Sequence, residues 1–150
     1  MKTMTEHAHL ELEHFLPYRL SVLSNRISQE IARLYADRFQ LNVTEWRLLA
    51  VLGRYPDLTA TELVERTAMD KVAVSRAVAS LVADGRLTRK VDGEDRRRTR
   101  LRLSTKGYRI YDEVAPLALA YQQKLLCELD AADRMQLEAL LSRLNVAPAE

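Results

Sequence analysis

Residues 59–107 of the chain read TATELVERTAMDKVAVSRAVASLVADGRLTRKVDGEDRRRTRLRLSTKG, and they contain two short helical patterns followed by two strand patterns. Thr59 and Glu62 have the spacing of a capping box, which predicts that a helix begins there. Asp70 is a suitable N-cap for a second helix, and Gly85 can adopt the left-handed conformation that commonly ends one. A short helix, a turn and a second helix are the elements of a helix-turn-helix.

The residues after the second helix predict a β-hairpin. Leu87 and Val91 alternate with polar residues, and Leu101 and Leu103 do the same further along the chain, as in strands with one buried face. The loop between them, residues 92–98, starts with Asp-Gly, which favours a turn. We therefore predict a mainly α chain with a small β-hairpin wing, in the winged helix-turn-helix class.

Positive charge is concentrated in and around this hairpin. Residues 86–109 hold ten Lys or Arg and three Asp or Glu, a local charge of +7. The whole chain carries only +2, so the other 126 residues carry −5. Arg96, Arg97 and Arg98 follow one another in the loop, where cations can reach phosphate or a narrow minor groove. This distribution favours DNA binding over a solubilising charge run, because adjacent like charges repel unless a polyanion binds them.

The second helix has two faces of different character. At 100° per residue, apolar residues fall on one side and polar residues, with a few small apolar ones, on the other. Arginine can form bidentate contacts with guanine, serine can bond bases or phosphates, and a valine methyl can touch thymine. The polar side is therefore predicted to enter the major groove, although a solvated helix face has the same composition. The candidate DNA-binding residues are Lys71, Val72, Ser75, Arg76 and Ser80 on this helix and Arg89, Asp95, Arg96, Arg97 and Arg98 in the wing.

Helical periodicity also dominates outside this stretch. Leucine and isoleucine recur at three- and four-residue steps over residues 10–37, which predicts one long amphipathic helix. Thr44 is a suitable N-cap for the helix that follows. Ser104 can cap a helix running to about Leu129, in which Pro116 can introduce a bend.

The outer helices offer more apolar surface than a small winged domain can cover. A last helix places four leucines on one face, Leu137, Leu140, Leu141 and Leu144. Burial against a second copy predicts a homodimer, and the alternative is a monomeric helical cap. The predicted organisation is a disordered N-terminus over residues 1–9, dimerisation helices over 10–37 and 104–146, and a DNA-binding domain over 38–103.

Composition and motifs exclude several classes of protein. The first nine residues lack the apolar core of a signal peptide, and no apolar run approaches the ~18 residues that span a bilayer, so a cytoplasmic location is predicted. The single cysteine, Cys127, has leucine neighbours, which predict a buried and unreactive thiol. His7, His9 and His14 are a weak metal candidate. The chain has no glycine-rich phosphate loop and no catalytic triad spacing, so we predict neither an enzyme nor a cofactor.

Residues 59–107 resemble the MarR family of bacterial transcriptional regulators, and the resemblance extends over about residues 16–144. The segment DKVAVSR is similar to the start of the family's recognition helix. The segment DGRLTRK is similar to its first wing strand. The resemblance implies a homodimer shaped like a triangle, with the outer helices at the dimer interface.

The wing of this family carries an Asp-x-Arg signature, which the segment DRR resembles. By that resemblance Arg97 enters the minor groove and Asp95 orients it. The chain departs from the family at residues 93–94, where many members have a proline, and at residues 72–73, where many have Ser or Thr. These departures concern the stiffness of the wing and the contacts with bases.

The family also binds effectors in a cleft between the dimerisation helices and the winged domain. The candidate ligand-binding residues in the corresponding stretches are Tyr18, Arg19, Trp46, Tyr108 and Tyr111. An aromatic wall with an arginine suits an aromatic carboxylate or its thioester, although each of these aromatic residues equally suits a core or a surface. The segment FLPYRLSVLSNRIS resembles the opening of regulators of hydroxycinnamate and related aromatic-acid catabolism.

These patterns predict a homodimeric, ligand-responsive repressor. Its recognition helix would lie in the major groove of a palindromic operator and its arginine wing in the minor groove, with the two recognition helices about 34–36 Å apart. The predicted partners are double-stranded DNA, a second copy of the chain and a small-molecule effector. The alternative is a winged-helix protein-interaction module without sequence-specific DNA binding, which would not need a local charge of +7.

Overall fold

The computed structural model describes residues 7–95 and 97–146. Within these ranges the chain forms seven α-helices and three short strands, which confirms the predicted mainly α fold with a small β wing. The helices are α1 (Leu16–Ala32), α2 (Ala36–Phe39), α3 (Val43–Arg54), α4 (Ala60–Thr67), α5 (Lys71–Ala83), α6 (Thr105–Leu125) and α7 (Ala131–Arg143). The strands are β1 (Leu58–Thr59), β2 (Leu87–Val91) and β3 (Thr99–Leu103). One turn of 3-10 helix, Leu12–His14, precedes α1.

The wing belongs to a three-stranded antiparallel sheet in which β3 is central. On one side β3 pairs Leu103 with Leu87 and Leu101 with Arg89 of β2. On the other side Leu101 pairs with Leu58 of β1. β1 could not be predicted from the sequence, because a strand of two residues is too short to show the alternation of apolar and polar residues. β1 directly precedes α4 and pairs with β3 of the hairpin. This pairing fixes the position of the wing relative to the helix-turn-helix.

The core of the molecule is built around α3. Its residues Leu48, Leu49 and Leu52 are fully buried, and they pack with apolar side chains of α4, α5, α6 and the sheet. Each buried leucine contributes about 1.5–3 kcal/mol relative to an exposed one. This shared core fixes the position of α5 relative to the wing.

Side-chain caps begin three of the helices at the residues that the sequence predicts. Thr59, Asp70 and Ser104 each accept a hydrogen bond from the backbone N–H three residues further on, at 3.2, 2.9 and 3.1 Å. Gly85, just after α5, has the left-handed φ of 73° that the C-terminal prediction requires. The boundaries of the helix-turn-helix are therefore confirmed.

The predicted cap at Thr44 is wrong, because α3 begins earlier. Asn42 accepts a hydrogen bond from the Glu45 N–H at 2.8 Å, and the Glu45 carboxylate accepts one from the Asn42 N–H at 3.0 Å. This reciprocal capping box satisfies two backbone donors, whereas a cap at Thr44 would satisfy one.

The single long helix predicted over residues 10–37 is also wrong. α1 begins one residue before Pro17, because a proline lacks a backbone N–H and is tolerated only in the first turn. At the other end the chain leaves the helix so that Tyr35, only 1% exposed, can stack on Trp46 with ring centroids 5.4 Å apart. The apolar pattern over residues 10–37 therefore includes all of α1 and the start of α2. α2 packs against the core, whereas α1 has no fully buried residue.

The outer helices carry most of the exposed apolar side chains. No residue of α1 or α7 is buried, and α6 buries only Gly107, Ile110 and Val114 in its first half. α6 also ends at Leu125, four residues before the predicted end. The exposed apolar residues include Leu16, Leu20 and Leu23 on α1, Leu117, Leu119 and Leu125 on α6, and Leu137, Leu140 and Leu141 on α7, with Leu144 just after it. In the described part of the chain no helix is both long and apolar enough to cross a membrane.

Candidate nucleic-acid interface

α5 has the two faces that its sequence predicts. Val74, Ala77, Val78 and Leu81 are buried against the core. The opposite side is exposed and consists of Lys71, Val72, Ser75, Arg76, Ala79 and Ser80. Val72 is 55% exposed and lies on this face with the charged groups of Lys71 and Arg76 and the hydroxyl of Ser75. The face therefore has both the apolar and the polar groups that base recognition needs.

Arg89 of the wing lies across a cleft from this face. The cleft has a volume of about 300 Å³ and is lined by Ser75 and Ala79 of α5 and by Arg89 and Thr99 of the sheet. The structure therefore places a wing cation and the exposed face of α5 around one cleft.

Two of the three consecutive loop arginines line a second groove. Arg97 and Arg98 lie opposite Thr59, Thr61 and neighbouring residues at the start of α4, around a volume of about 560 Å³. Arg96, also predicted to bind DNA, lies outside the described residues. Both described arginines are exposed, so their guanidinium groups are accessible to phosphate.

Asp95 shapes the wing tip through the backbone. Its carboxylate accepts a hydrogen bond from the Arg97 N–H at 3.0 Å, and its carbonyl oxygen accepts one from the Arg98 N–H at 3.0 Å. These two bonds form a turn that connects Asp95 to the main chain of Arg97. Asp95 can therefore orient Arg97 by fixing the main chain from which the side chain projects.

We expect Asp95→Ala to weaken DNA binding by roughly three- to ten-fold, the cost of about one hydrogen bond in the bound wing. Asp95→Asn should keep near-normal affinity, because the amide oxygen can accept the same bond. The matched control is Glu94→Ala, which removes the same charge and should tighten binding slightly. Fluorescence anisotropy with a labelled duplex measures all three. Tighter binding by Asp95→Ala would contradict the turn role.

Three cations counted in the local charge of +7 have hydrogen-bond partners within the protein. Arg102 forms a bidentate pair with Asp57 at 2.8 and 2.7 Å. Arg100 donates to Asp92 at 3.2 Å and to the Asp57 carbonyl oxygen at 2.8 Å. Arg86 is 8% exposed and donates to the carbonyl oxygen of Phe39 inside the molecule. Burial therefore removes Arg86 from the accessible surface, and carboxylate partners hold Arg100 and Arg102 in fixed positions on the sheet.

The two ends of the wing loop, residues 92–98, are held together at β3 by the Asp92 carboxylate. The backbone N–H of Glu94 is the largest influence that holds the pKa of Asp92 below its usual value, and the guanidinium groups of Arg100 and Arg98 act in the same direction. Asp92 consequently stays ionised and keeps its bond to Arg100 over the pH range in which DNA binding would be measured.

Four of the five predicted ligand-binding residues line two separate cavities, and the fifth lines neither. Trp46 and Tyr111 line an apolar cleft of about 350 Å³ between α1, α3 and α6, together with Ile27, Ile31, Ala50, Ala115, Ala118, Leu119, Tyr121, Gln122 and Leu125. Tyr18 and Arg19 line a separate groove along α1, which also includes Arg26. Tyr108 is exposed and lines neither of them. Within one chain, the structure therefore does not place the arginine beside the aromatic wall.

One wall of the apolar cleft, the Tyr111 ring, lies against Gly53 of α3. A Cβ atom at Gly53 would lie 2.5 Å from ring atoms of Tyr111, so the ring packs directly on the α3 backbone. This close contact holds the Tyr111 ring back against α3.

The cysteine and the histidines are the remaining candidates for a reactive or metal-binding site. Cys127 is exposed rather than buried, because it follows α6 where no element covers the chain. Residues 7–95 and 97–146 contain no group of three or more His, Cys, Asp or Glu side chains that could hold a metal ion.

Sequence reasoning missed two residues that hold the interface together. Asp57 adopts a positive φ of 65° and pairs with Arg102, and no sequence pattern indicates this role. Glu45 is 5% exposed and accepts a hydrogen bond from the Ser80 hydroxyl at 3.0 Å. The spacing of Asn42 and Glu45 is a capping-box signature that was available in the sequence. The proton of Ser80, a predicted DNA-binding residue, is thus donated inside the protein.

Comparisons with known proteins agree with this geometry. Residues 39–98 match the family model described as "MarR family". The HTH-type transcriptional regulator BilQ of Clostridium symbiosum is 28% identical over 94 residues, which are 63% of this chain and 65% of that protein. The chain thus spans slightly less than two thirds of this curated relative.

Solved structures resemble the chain over most of its length. A MarR/EmrR family transcriptional regulator from Acinetobacter sp. ADP1 gives a TM-score of 0.82 with 26% identity, covering 90% of this chain and 95% of that one. A mutant MarR from E. coli complexed with operator DNA gives 0.77 with 23% identity, covering 93% and 100%. The PcaV transcriptional regulator from Streptomyces coelicolor, solved with its natural ligand, gives 0.77 with 21% identity, covering 92% and 96%.

Proposed function

We propose that the chain is a winged-helix transcriptional regulator of the MarR family, which its residues 39–98 match, and that it is a homodimeric repressor whose binding to a palindromic operator is controlled by a small molecule. The observation that carries this proposal is the cleft between α5 and the wing, where Ser75 and Arg89 face each other. A duplex on this surface would contact α5 through its major groove and the loop arginines through its minor groove or phosphates.

The exposed apolar faces of the outer helices support the homodimer. α1 and α7 have no buried residue, although leucines recur along both. Contiguous exposed apolar surface of this kind marks an interaction site, and a two-fold dimer buries the same face of each copy. We therefore propose that α1, α6 and α7 form the dimer interface, in a cytoplasmic protein that does not act as an enzyme.

Operator selection tests the proposed function. The full-length protein should enrich a palindrome from a pool of random duplexes, with half-sites about one helical turn apart. Binding should show two chains per duplex and a logarithmic affinity that falls steeply with the logarithm of salt concentration. A protein-interaction module would enrich no sequence, and that result would exclude the proposed function.

The effector is proposed to be an extended aromatic acid or its acyl thioester. Trp46 and Tyr111 provide an apolar wall for a ring, and the lining of this cleft contains no charged residue. Arg19 lies on α1 eight residues before Ile27, which is about 12 Å along the helix axis. An extended molecule could span that distance with its ring in the cleft and its acidic group at Arg19.

We expect 4-hydroxycinnamate or its coenzyme A thioester to raise the melting temperature of the free protein and to release the duplex at similar concentrations. A coupling of about 1–3 kcal/mol corresponds to a five- to 150-fold loss of DNA affinity. Arg19→Ala should reduce both responses without changing DNA affinity in the absence of ligand. Arg33→Ala, which changes the same charge elsewhere near α1, should not. An equal response to the uncharged methyl ester would contradict a role for Arg19.

A further inference from the structure

The carboxylate of Glu45 lies inside the molecule and joins α3 to the recognition helix. One oxygen accepts a hydrogen bond from the Asn42 N–H at 3.0 Å, and the other accepts one from the Ser80 hydroxyl at 3.0 Å. In the described part of the chain no lysine or arginine forms an ion pair with it. A buried carboxylate is costly unless its hydrogen bonds are satisfied, so its two donors are held in a defined place.

The two residues that follow Glu45 reach other functional parts of the molecule. Trp46 lines the apolar cleft. Arg47 donates to the Ser28 hydroxyl of α1 at 2.8 Å, and it contacts the Met69 sulfur just before α5 at 3.9 Å. Three consecutive residues in the first turn and a half of α3 therefore contact the recognition helix, the cleft and α1.

We propose that Glu45 is a positioning residue, which holds α5 through Ser80 and couples the cleft at Trp46 to the DNA-binding face. The inference rests on the operator binding proposed above. Ser80 acts on DNA through the placement of α5, because its proton is already donated to Glu45. Since coupling between two sites is reciprocal, operator binding should change the surroundings of Trp46, and displacement of Trp46 should change operator affinity.

Trp46 is the only tryptophan in the chain, so its fluorescence reports on the cleft without a label. The probe is the duplex enriched from the random pool, titrated into the full-length protein. In the unmodified protein, Trp46 emission should change with the same midpoint as DNA binding measured by anisotropy. Ser80→Ala should lower DNA affinity by roughly three- to ten-fold and reduce the emission change at saturating DNA.

Conservative variants separate positioning from a general loss of structure. Ser80→Thr keeps the hydroxyl, and Glu45→Gln keeps groups that can bond both Asn42 and Ser80, so each should retain the emission change. Asn42→Ala is the matched control, because it weakens the cap of α3 and leaves the bond to Ser80 in place. It should lower the melting temperature without reducing the emission change.

A double-mutant cycle completes the test. If Ser80 and Glu45 act through each other, Ser80→Ala should cost little further affinity in a Glu45→Ala background. Additive losses, or an unchanged emission response in Ser80→Ala, would overturn the inference while the operator binding of the unmodified protein stands. Failure to enrich any duplex would instead overturn the proposed function.

Discussion

Arg76→Ala should weaken binding to the selected palindrome by about 1–3 kcal/mol, which is roughly five- to 150-fold, and should change binding to random duplexes much less. Arg76 lies on the exposed face of α5, beside the cleft that Ser75 shares with Arg89. An arginine on a recognition helix can make two parallel hydrogen bonds to one guanine, and alanine loses both. Anisotropy titrations with both duplexes at one salt concentration measure the difference.

The control for this prediction is Arg33→Ala. Arg33 follows α1 and pairs with Glu30 at 3.4 Å while remaining largely exposed, so its loss makes the same change in net charge. It should leave both affinities within about two-fold, because exposed charges beyond a Debye length of about 8–10 Å are screened. Equal losses on the palindrome and on random duplexes in Arg76→Ala would show that Arg76 contacts only phosphate.

Gly107→Ala should destabilise the protein by about 2 kcal/mol. A Cβ atom at Gly107 would overlap the carbonyl oxygen of Arg86, and this oxygen is backbone that also accepts a hydrogen bond from the Ser104 N–H. Overpacking of this kind costs about 1–3 kcal/mol, and the better helix propensity of alanine returns at most about 1 kcal/mol. Thermal unfolding should show a melting temperature lower by roughly 4–8 °C.

Gly93→Ala is the matched glycine control. A Cβ atom at Gly93 has no neighbour within 4 Å, so the melting temperature should stay nearly constant. Gly107→Ala could melt at the same temperature as Gly93→Ala only if the start of α6 moved away from Arg86, just before β2, at a small cost in the free energy of unfolding. The start of α6 would then not be fixed to the wing.

The helix-turn-helix and its wing could be predicted from sequence because each boundary has its own local signal. The cap at Asp70 and the glycine at position 85 depend only on neighbouring residues and are observed, and both strands form where the pattern predicts them. The predicted alternation is wrong for β2, in which only Leu87 is buried and Val91 is exposed, because Val91 lies at the end of the strand next to the loop. The break after α1 could not be predicted in this way. It exists because Tyr35 gains more by stacking on Trp46 than by continuing a helix, and that contact is tertiary.

The candidate site was predictable in outline but not in its electrostatics. The exposed face of α5 follows from a period of 3.6 residues, and the arginines of the loop are visible in the sequence. The burial of Arg86, the pairing of Arg100 with Asp92 and the pairing of Arg102 with Asp57 all depend on contacts that form only in the folded chain. The separation of Arg19 from Trp46 is likewise a property of helix packing.

The contact between Gly53 and Tyr111 makes the range of molecules that the cleft accepts depend on a single position. A methyl group at position 53 cannot share space with the Tyr111 ring, so the ring would have to move away from α3. Because Tyr111 lines the cleft, this movement would change the shape of the cleft, whereas the lining of the cleft between α5 and the wing includes neither Gly53 nor Tyr111. The codon for residue 53 is therefore a natural starting point for changing which effector the proposed cleft accepts, in evolution or in the engineering of a biosensor.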